Sequence, residues 1–251
     1  MSRHTDGGAT IALRSDDGSL IEIYDVTGGR NASFVDAMCD LHCRSFPEHI
    51  FAADGIRFDA RENPLREGII VHQWLLTVNG HPTAYSLADT NLVRRTVPIH
   101  FLAVAEASRT ITVEGERLGT WFLRDSLRQY LDDTGEQGLG ACAETPDYKL
   151  SIFLPNGWRL LPVTYLEPIH GSTWRTNGLD TREVALIWLP PPGVQVESIP
   201  SIEPTVMGPA AASFLIDMYD LDGTIPWVAA LCGATLGGPR PNRQQSRRIS
   251  L

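Results

Sequence analysis

The chain has 251 residues, 43% hydrophobic and 20% charged, enough to bury one substantial core within one domain with ragged ends. A formal net charge of -9 argues against nucleic acid as the principal partner, because neutralising phosphates needs a clustered positive surface. No stretch reaches the ~20 continuous apolar residues of a spanning helix, and the polar N-terminus lacks a signal-peptide profile, so no membrane partner and a cytoplasmic location are expected.

Residues 1–18 are polar and without sustained period, which reads as a flexible leader with room for one edge strand. The alternation over 19–26 predicts a first strand. A helix is predicted from Phe34 to Phe46, with Ser33 as its N-cap, Phe34, Met38 and Leu41 as its apolar stripe, and Pro47 as its stop. The runs HQWLLTV and PTAYSLAD, joined by Asn79-Gly80-His81, predict an antiparallel hairpin, since Asn and Gly tolerate positive φ. The nearly continuous apolar run over 97–105 predicts a central strand covered on both faces.

Leu123, Leu127, Tyr130 and Leu131 recur at helical spacing while Arg124, Asp125, Arg128 and Asp132 face away, which predicts an amphipathic helix over 119–132. A short buried strand over 138–144 follows, and strand, helix, strand implies a right-handed parallel crossover. The next helix is predicted to begin with Thr145 as cap and Pro146 in the first turn, and to end near Leu154 before Pro155, with Asn156-Gly157 as a left-handed cap. Strands are expected over 158–168 and 181–190, and these close a core domain of residues 19–190. Beyond Pro190, 191–236 reads as a C-terminal extension with short helices over 212–221 and 225–236, either packing or a lid. Residues 237–251, with Arg240, Arg243, Arg247 and Arg248, read as a disordered basic tail.

Cys39, Cys43, Cys142 and Cys232 show no CxxC pairing and are expected as reduced thiols. His4, His42, His49, His72, His81 and His170 lack metal-ligand spacing, so no metal is predicted. Neither a Gly-x-Ser-x-Gly elbow nor a Walker loop is present.

Three stretches carry a family resemblance. LAVAEASR (102–109) resembles the L-x-V-x-P-x-x-R stretch of the GNAT (N-acetyltransferase) superfamily, GERLGTWFL (115–123) resembles its R/Q-x-x-G-x-G/A-x-x-L-L loop, and SIFLPNGWRLL (151–161) looks like its Y-x-x-x-G-F element. With the element order, the resemblance covers roughly residues 20–190. It implies an α/β fold of the α+β mixed-sheet kind, the GNAT acyl-CoA N-acyltransferase fold, here with a C-terminal helical extension. It also implies acetyl-CoA or another acyl-CoA as co-substrate. Amides around Arg117, Leu118, Gly119 and Thr120 would then hold the pyrophosphate, consistent with the partial positive charge of a helix N-terminus. The strand end at Leu102, Val104 and Ala105 would pair with the pantetheine arm and polarise the thioester carbonyl.

The chain departs from the family at two places. Arg117 stands where an earlier glycine is usual, with Glu114 and Glu116 flanking the loop and opposing an anion. Phe153 falls where a tyrosine often serves as general acid, which leaves Tyr148 as a weak substitute. IHFLAV is similar to the His-bearing strand of arylalkylamine N-acetyltransferases, which makes His100 the first candidate base. An ordinary imidazole pKa near ~6.5 suits that task, and a hydrogen-bonded core histidine is the alternative. Glu144 is the second candidate base, with a surface-loop carboxylate as its alternative. Three functions stay open: acyl-CoA dependent transfer to a small-molecule amine, transfer from an acyl carrier protein, and a catalytically inactive binding module. A homodimer is left open, and the acceptor is not readable from first helix, loop 47–68 or last strands.

Overall fold

The computed structural model describes residues 8–62, 67–135, 137–169 and 180–233, and strands and helices mix in both of the units into which the chain divides. The first unit draws on Met1–Pro64, Val71–Asp89 and Ile99–Tyr130, the second on Leu65–Ile70, Thr90–Pro98 and Leu131–Leu251.

Through the first unit the chain runs β1 (Ile11–Arg14), β2 (Leu20–Asp25), α1 (Val35–Ser45), α2 (Ala52–Glu62), β3 (Ile69–Val78), β4 (His81–Asn91), β5 (Val97–Val104), β6 (Thr112–Val113), β7 (Glu116–Arg117) and α3 (Leu118–Asp132). The sheet order is β1-β2-β3-β4-β5. β1 pairs antiparallel with β2, Ile11 opposite Ile23, so part of the expected leader is an edge strand. The β3–β4 turn uses Asn79 and Gly80 at φ 50° and 78°, the left-handed pair a two-residue hairpin requires.

α1 starts one residue later than expected. Ser33 lies in a 3-10 turn (Ala32–Phe34) and no side chain caps the helix. α2 lies in the stretch 47–68, where the sequence suggests a loop. Its Ala53, Ile56 and Ala60 are buried at i, i+3 and i+7 against Met38, Cys39 and Leu41 of α1 and Leu75, Tyr85 and Leu87 of the sheet. Each large side chain so buried contributes about 1.5–3 kcal/mol, which outweighs the weak helix propensity of a segment rich in charges.

The second unit continues with β8 (Ala141–Thr145), α4 (Leu150–Phe153), β9 (Arg159–Leu160), β10 (Tyr165–Pro168), β11 (Thr181–Leu189), α5 (Ile199–Ala212) and α6 (Pro226–Cys232). β11 pairs antiparallel with β8, β9 and β10. Thr145 is not a helix cap: it is the last residue of β8, opposite Ala185. The helix expected after it is a 3-10 turn (Asp147–Lys149) and the four-residue α4, ended by a second 3-10 turn and Gly157 at φ 86°. Gly140 precedes β8 at φ 104°, where a Cβ would sit 2.2 Å from the Leu189 carbonyl oxygen, so no other residue fits there without moving backbone.

α5 carries Pro204 and Pro209 inside it, each of which costs about 3 kcal/mol in a helix interior. Packing offsets this. Val206, Ala210, Ala211, Phe214 and Leu215 are fully buried with Trp188, Tyr165 and Leu186. A six-residue π-helical turn, Ser213–Met218, follows α5 and brings polar groups to a buried cluster. Asp217 accepts from Arg94 Nε at 3.0 Å and Asn91 Nδ2 at 2.8 Å, while Ser213 and Thr96 hydroxyls meet at 2.7 Å. Arg94 and Asp217 side chains are 4% and 2% exposed. Residues 199–232 are thus part of the second unit's core rather than an appendage, which favours packing over a lid.

Among the described residues no helix is long and apolar enough to cross a membrane. The four cysteines are free thiols, and Cys39, Cys142 and Cys232 are buried.

Candidate active site

The antiparallel register of β4 and β5 is broken at one point. Phe101 pairs with Leu87 and Ile99 with Ala88, so β5 holds one residue more than β4 between those pairs. That residue is His100, and a β-bulge of this kind re-aims the side chain it carries. His100 Nε2 lies 3.1 Å from Asp89 Oδ2, with the side chains 13% and 9% exposed. The predicted base therefore sits in an acid–imidazole pair just inside the sheet surface. By contrast His42 is a satisfied core histidine: its Nε2 donates to the His49 carbonyl at 2.8 Å and Tyr85 donates its hydroxyl to Nδ1 at 2.7 Å. Burial lowers its pKa and favours the neutral ring.

Four residues after His100 the strand ends at Val104. The Ala105 amide donates to the Thr83 carbonyl at 2.8 Å, and the Val104 carbonyl accepts from Arg109 Nε at 3.3 Å. The Ala105 amide is thus engaged within the sheet. Leu102 and Val104 remain part-exposed along the strand.

In place of an open glycine-rich loop, β6 and β7 form a miniature hairpin, Val113 opposite Glu116, closed by Glu114 and Gly115 at φ 53° and 77°. α3 begins directly after it. The Leu118 amide donates to the Ile111 carbonyl at 2.9 Å, so of the four amides expected on a pyrophosphate this one is engaged within the chain. At Gly119 a Cβ would lie 3.1 Å from Val104 Cγ2, because the first turn of α3 rests on the strand tip. Thr120 is part-buried one residue on.

Charges of both signs surround this helix start, with Asp16 Oδ2 accepting from the Gly115 amide at 3.1 Å. Arg124 binds both Glu116, through Nη1, and Glu114, through Nη2 at 3.0 Å. The two carboxylates expected to repel an anion are therefore compensated from the second turn of α3. Arg109 and Arg117 are exposed, with Arg117 Nη1 donating to the Arg109 carbonyl at 3.1 Å. Two guanidinium groups thus stand beside a helix N-terminus, the combination of point charge and dipole that attracts phosphate.

In the second unit Glu144 is not a surface-loop carboxylate. On β8, its Oε1 accepts from the Tyr165 hydroxyl and its Oε2 lies 2.8 Å from the Tyr219 hydroxyl. Tyr219 also reaches Glu167 Oε1 at 3.3 Å, and Arg182 Nε donates to Glu167 Oε2 at 2.6 Å. Burial, and then the negative charge of Glu167, push the Glu144 carboxyl up to about 8. A tyrosine has one proton, so Tyr219 cannot donate to both acids. A proton on Glu144 completes the chain Glu144 to Tyr219 to Glu167. Tyr148 is 77% exposed in its 3-10 turn, with Lys149 Nζ 5.9 Å from its ring centroid. Phe153 packs edge-on to Trp158 at 5.5 Å, which is a packing contact.

No protein-family model and no curated protein matches the sequence. Solved structures do. A putative N-acetyltransferase from Lactobacillus plantarum is 11% identical over 68% of this chain and 97% of its own, with a TM-score of 0.45. Tetrahymena GCN5 is 12% identical over 68% and 98%, with a TM-score of 0.47. An uncharacterized protein from Bacillus halodurans is 10% identical over 80% and 99%, also at 0.47.

Among the described residues no group of three or more His, Cys, Asp or Glu could hold a metal ion. Sequence reading missed Asp89 and the engaged state of Arg124. The signal for Asp89 was an acid within an apolar strand, PTAYSLAD, next to the His-bearing strand. Its partner could be named only once the bulge had fixed the register.

Proposed function

We propose that the chain is an acyl-CoA dependent N-acyltransferase, with acetyl-CoA as the first donor to try and a small-molecule amine as acceptor. The observation that carries this reading is His100: a near-buried imidazole, turned out of register by a bulge and paired with a carboxylate, four residues before a strand tip that leads to a cationic helix start. Arg109, Arg117 and the first turn of α3 at Gly119 and Thr120 would receive the cofactor phosphates, and the part-exposed edge at Leu102 and Val104 would lie along the pantetheine arm. An acyl-CoA is the substrate here, not a resident group.

The chemistry balances as direct transfer. The ammonium form of the acceptor gives one proton to His100, the free amine nitrogen attacks the thioester carbon, and the C–S bond of the tetrahedral adduct breaks. The nitrogen's second proton ends on the departing thiolate, and the proton on His100 returns to solvent. A thiol leaves without a dedicated acid more readily than an alcohol or amine, so Phe153 does not forbid the step. The second candidate base, Glu144, is held in its protonated form near neutrality by burial and the charge of Glu167, which favours His100 over it, and His100→Gln and Glu144→Gln compared in one assay separate the two.

Titration calorimetry with acetyl-CoA tests the donor. Binding is expected, and the Arg109→Ala/Arg117→Ala double variant should weaken it by about tenfold or more, since each charge-assisted contact contributes about 1.5–3 kcal/mol before screening. No heat with acetyl-CoA at millimolar concentration counts against this donor. A response to an acyl carrier protein instead would move the donor to the carrier, and binding without turnover of any amine would leave a binding module.

A further inference from the structure

We infer that Asp16, in the turn between β1 and β2, is a positioning residue for the donor: it grips the β6–β7 hairpin and so fixes Arg117 beside the start of α3. This rests on the reading of Arg109, Arg117 and the first turn of α3 as the place of the cofactor phosphates. β6 and β7 have two residues each, Thr112 opposite Arg117 and Val113 opposite Glu116, and a hairpin so short is marginal in water without support. Support comes from two sides. From α3, Arg124 binds Glu114 and Glu116. From the β1–β2 turn, the Asp16 amide donates to the Thr112 carbonyl at 3.0 Å, and Asp16 Oδ2 accepts from the Gly115 amide at 3.1 Å. The Thr112 side chain, and after it the Gly115 amide, hold the Asp16 carboxyl below its ordinary value. One residue therefore holds the hairpin at its turn and at the cross-strand partner of Arg117.

The gripping turn is itself closed. The Ser15 amide donates to the Ser19 carbonyl at 2.9 Å, and Arg14 Nη1 donates to the Gly18 carbonyl at 2.7 Å, while β1 and β2 pair along Ile11–Arg14. The N-terminal strand thus reaches the donor end of the unit through Asp16. A cation already in place spares the ordering cost that binding would otherwise meet. Asp16 acts through the hairpin, and its own negative charge opposes a phosphate. The grip strengthens donor binding and the bare charge weakens it, so the two roles predict opposite signs when the carboxylate is removed.

Titration calorimetry with acetyl-CoA on the full chain and on its Asp16→Ala and Asp16→Asn variants reads that sign. Asp16 is exposed and outside the core, so both variants should keep the fold. Asp16→Ala should raise Kd by about threefold to tenfold, the range set by lost hydrogen bonds. Asp16→Asn keeps an oxygen that accepts from Gly115 and drops the charge, so it should bind at least as tightly as the wild type. In nitrogen-15-labelled protein the Gly115 amide should exchange with solvent about threefold faster or more in Asp16→Ala and stay protected in Asp16→Asn.

Acetyl-CoA binding that is unchanged or tighter in Asp16→Ala overturns the inference, as does a Gly115 amide that exchanges equally fast in all three proteins. A loss in Asp16→Asn as large as in Asp16→Ala overturns it too, because the grip survives in Asn. In each of these cases the wild type still binds acetyl-CoA and the proposed function stands. A wild type that gives no heat at millimolar acetyl-CoA removes the donor and the role of Asp16 with it, while the Gly115 amide still reports the grip.

Discussion

Stability of the wild-type chain should fall with rising pH, and replacing Glu144 by Gln should flatten that fall. Glu144 and Glu167 face the single hydroxyl hydrogen of Tyr219, and burial with the neighbouring charge raises the Glu144 carboxyl from its ordinary 4.5 to about 8. A folded-state pKa raised above the unfolded value means that the contribution is fully present below about 4.5 and is lost as pH rises through about 8. One proton sets a slope of at most about 1.4 kcal/mol per pH unit, or about 2.7 kcal/mol between roughly pH 5.5 and pH 7.5. Glu144 retains some exposure, so about 1–2 kcal/mol is the expected loss, seen as about 2–8 °C in Tm for a chain of this size. Thermal melts of both proteins at the two pH values give the comparison. The Gln side chain can donate its amide hydrogen to Tyr219 at every pH, so the variant should lose that much less than the wild type. Equal losses in both would refute the shared-proton account.

The buried pair Arg94–Asp217 supplies a second prediction. Asp217→Ala should destabilise by about 3–5 kcal/mol because it strands a buried guanidinium, whereas Arg94→Met with Asp217→Leu should recover most of that loss, as measured by urea unfolding. A double variant as unstable as the single one would show that the charges, rather than their pairing, were needed. At the strand tip, Gly119→Val places a branched side chain where even a Cβ comes 3.1 Å from Val104. A cost of about 1–3 kcal/mol is expected, with weaker acetyl-CoA binding by calorimetry, while Gly119→Ala should be nearly neutral because its helix-propensity gain of about 1 kcal/mol offsets the crowding.

How much of this was readable beforehand depended on the range over which each feature is determined. The Asn79-Gly80 turn and α3 were legible because two residues fix a left-handed turn and a 3.6-residue period fixes a helix face. α2 was not, because its buried stripe consists mostly of alanines, Ala53 and Ala60 around Ile56, and alanine gives little contrast in a hydrophobic pattern. α5 was hidden by Pro204 and Pro209, whose local cost is overridden by burial against Trp188 and Tyr165, residues of other elements. His100, Leu102 and Val104 were singled out from the strand they occupy. The partners that define their chemistry, Asp89 for the imidazole and Arg109 for the Val104 carbonyl, depend on strand register and loop path, which no local pattern encodes. The same limit explains Ala105 and Leu118, whose amides are consumed by Thr83 and Ile111.

The surplus residue in β5 also governs everything upstream of it on that strand. Val104 and Leu102 share a face with Ala84 and Ser86, and past the irregularity it is Ile99 that matches Ala88, so odd-numbered positions inherit the side previously held by even-numbered ones. Excising His100 would leave Ile99 opposite Ala88, so Val97 to Ile99 would keep their sides and the ladder would become regular. Geometry of this sort uncouples a reactive group from the integrity of the fold: the irregularity and the imidazole upon it can be lost in one step without turning a buried residue outward.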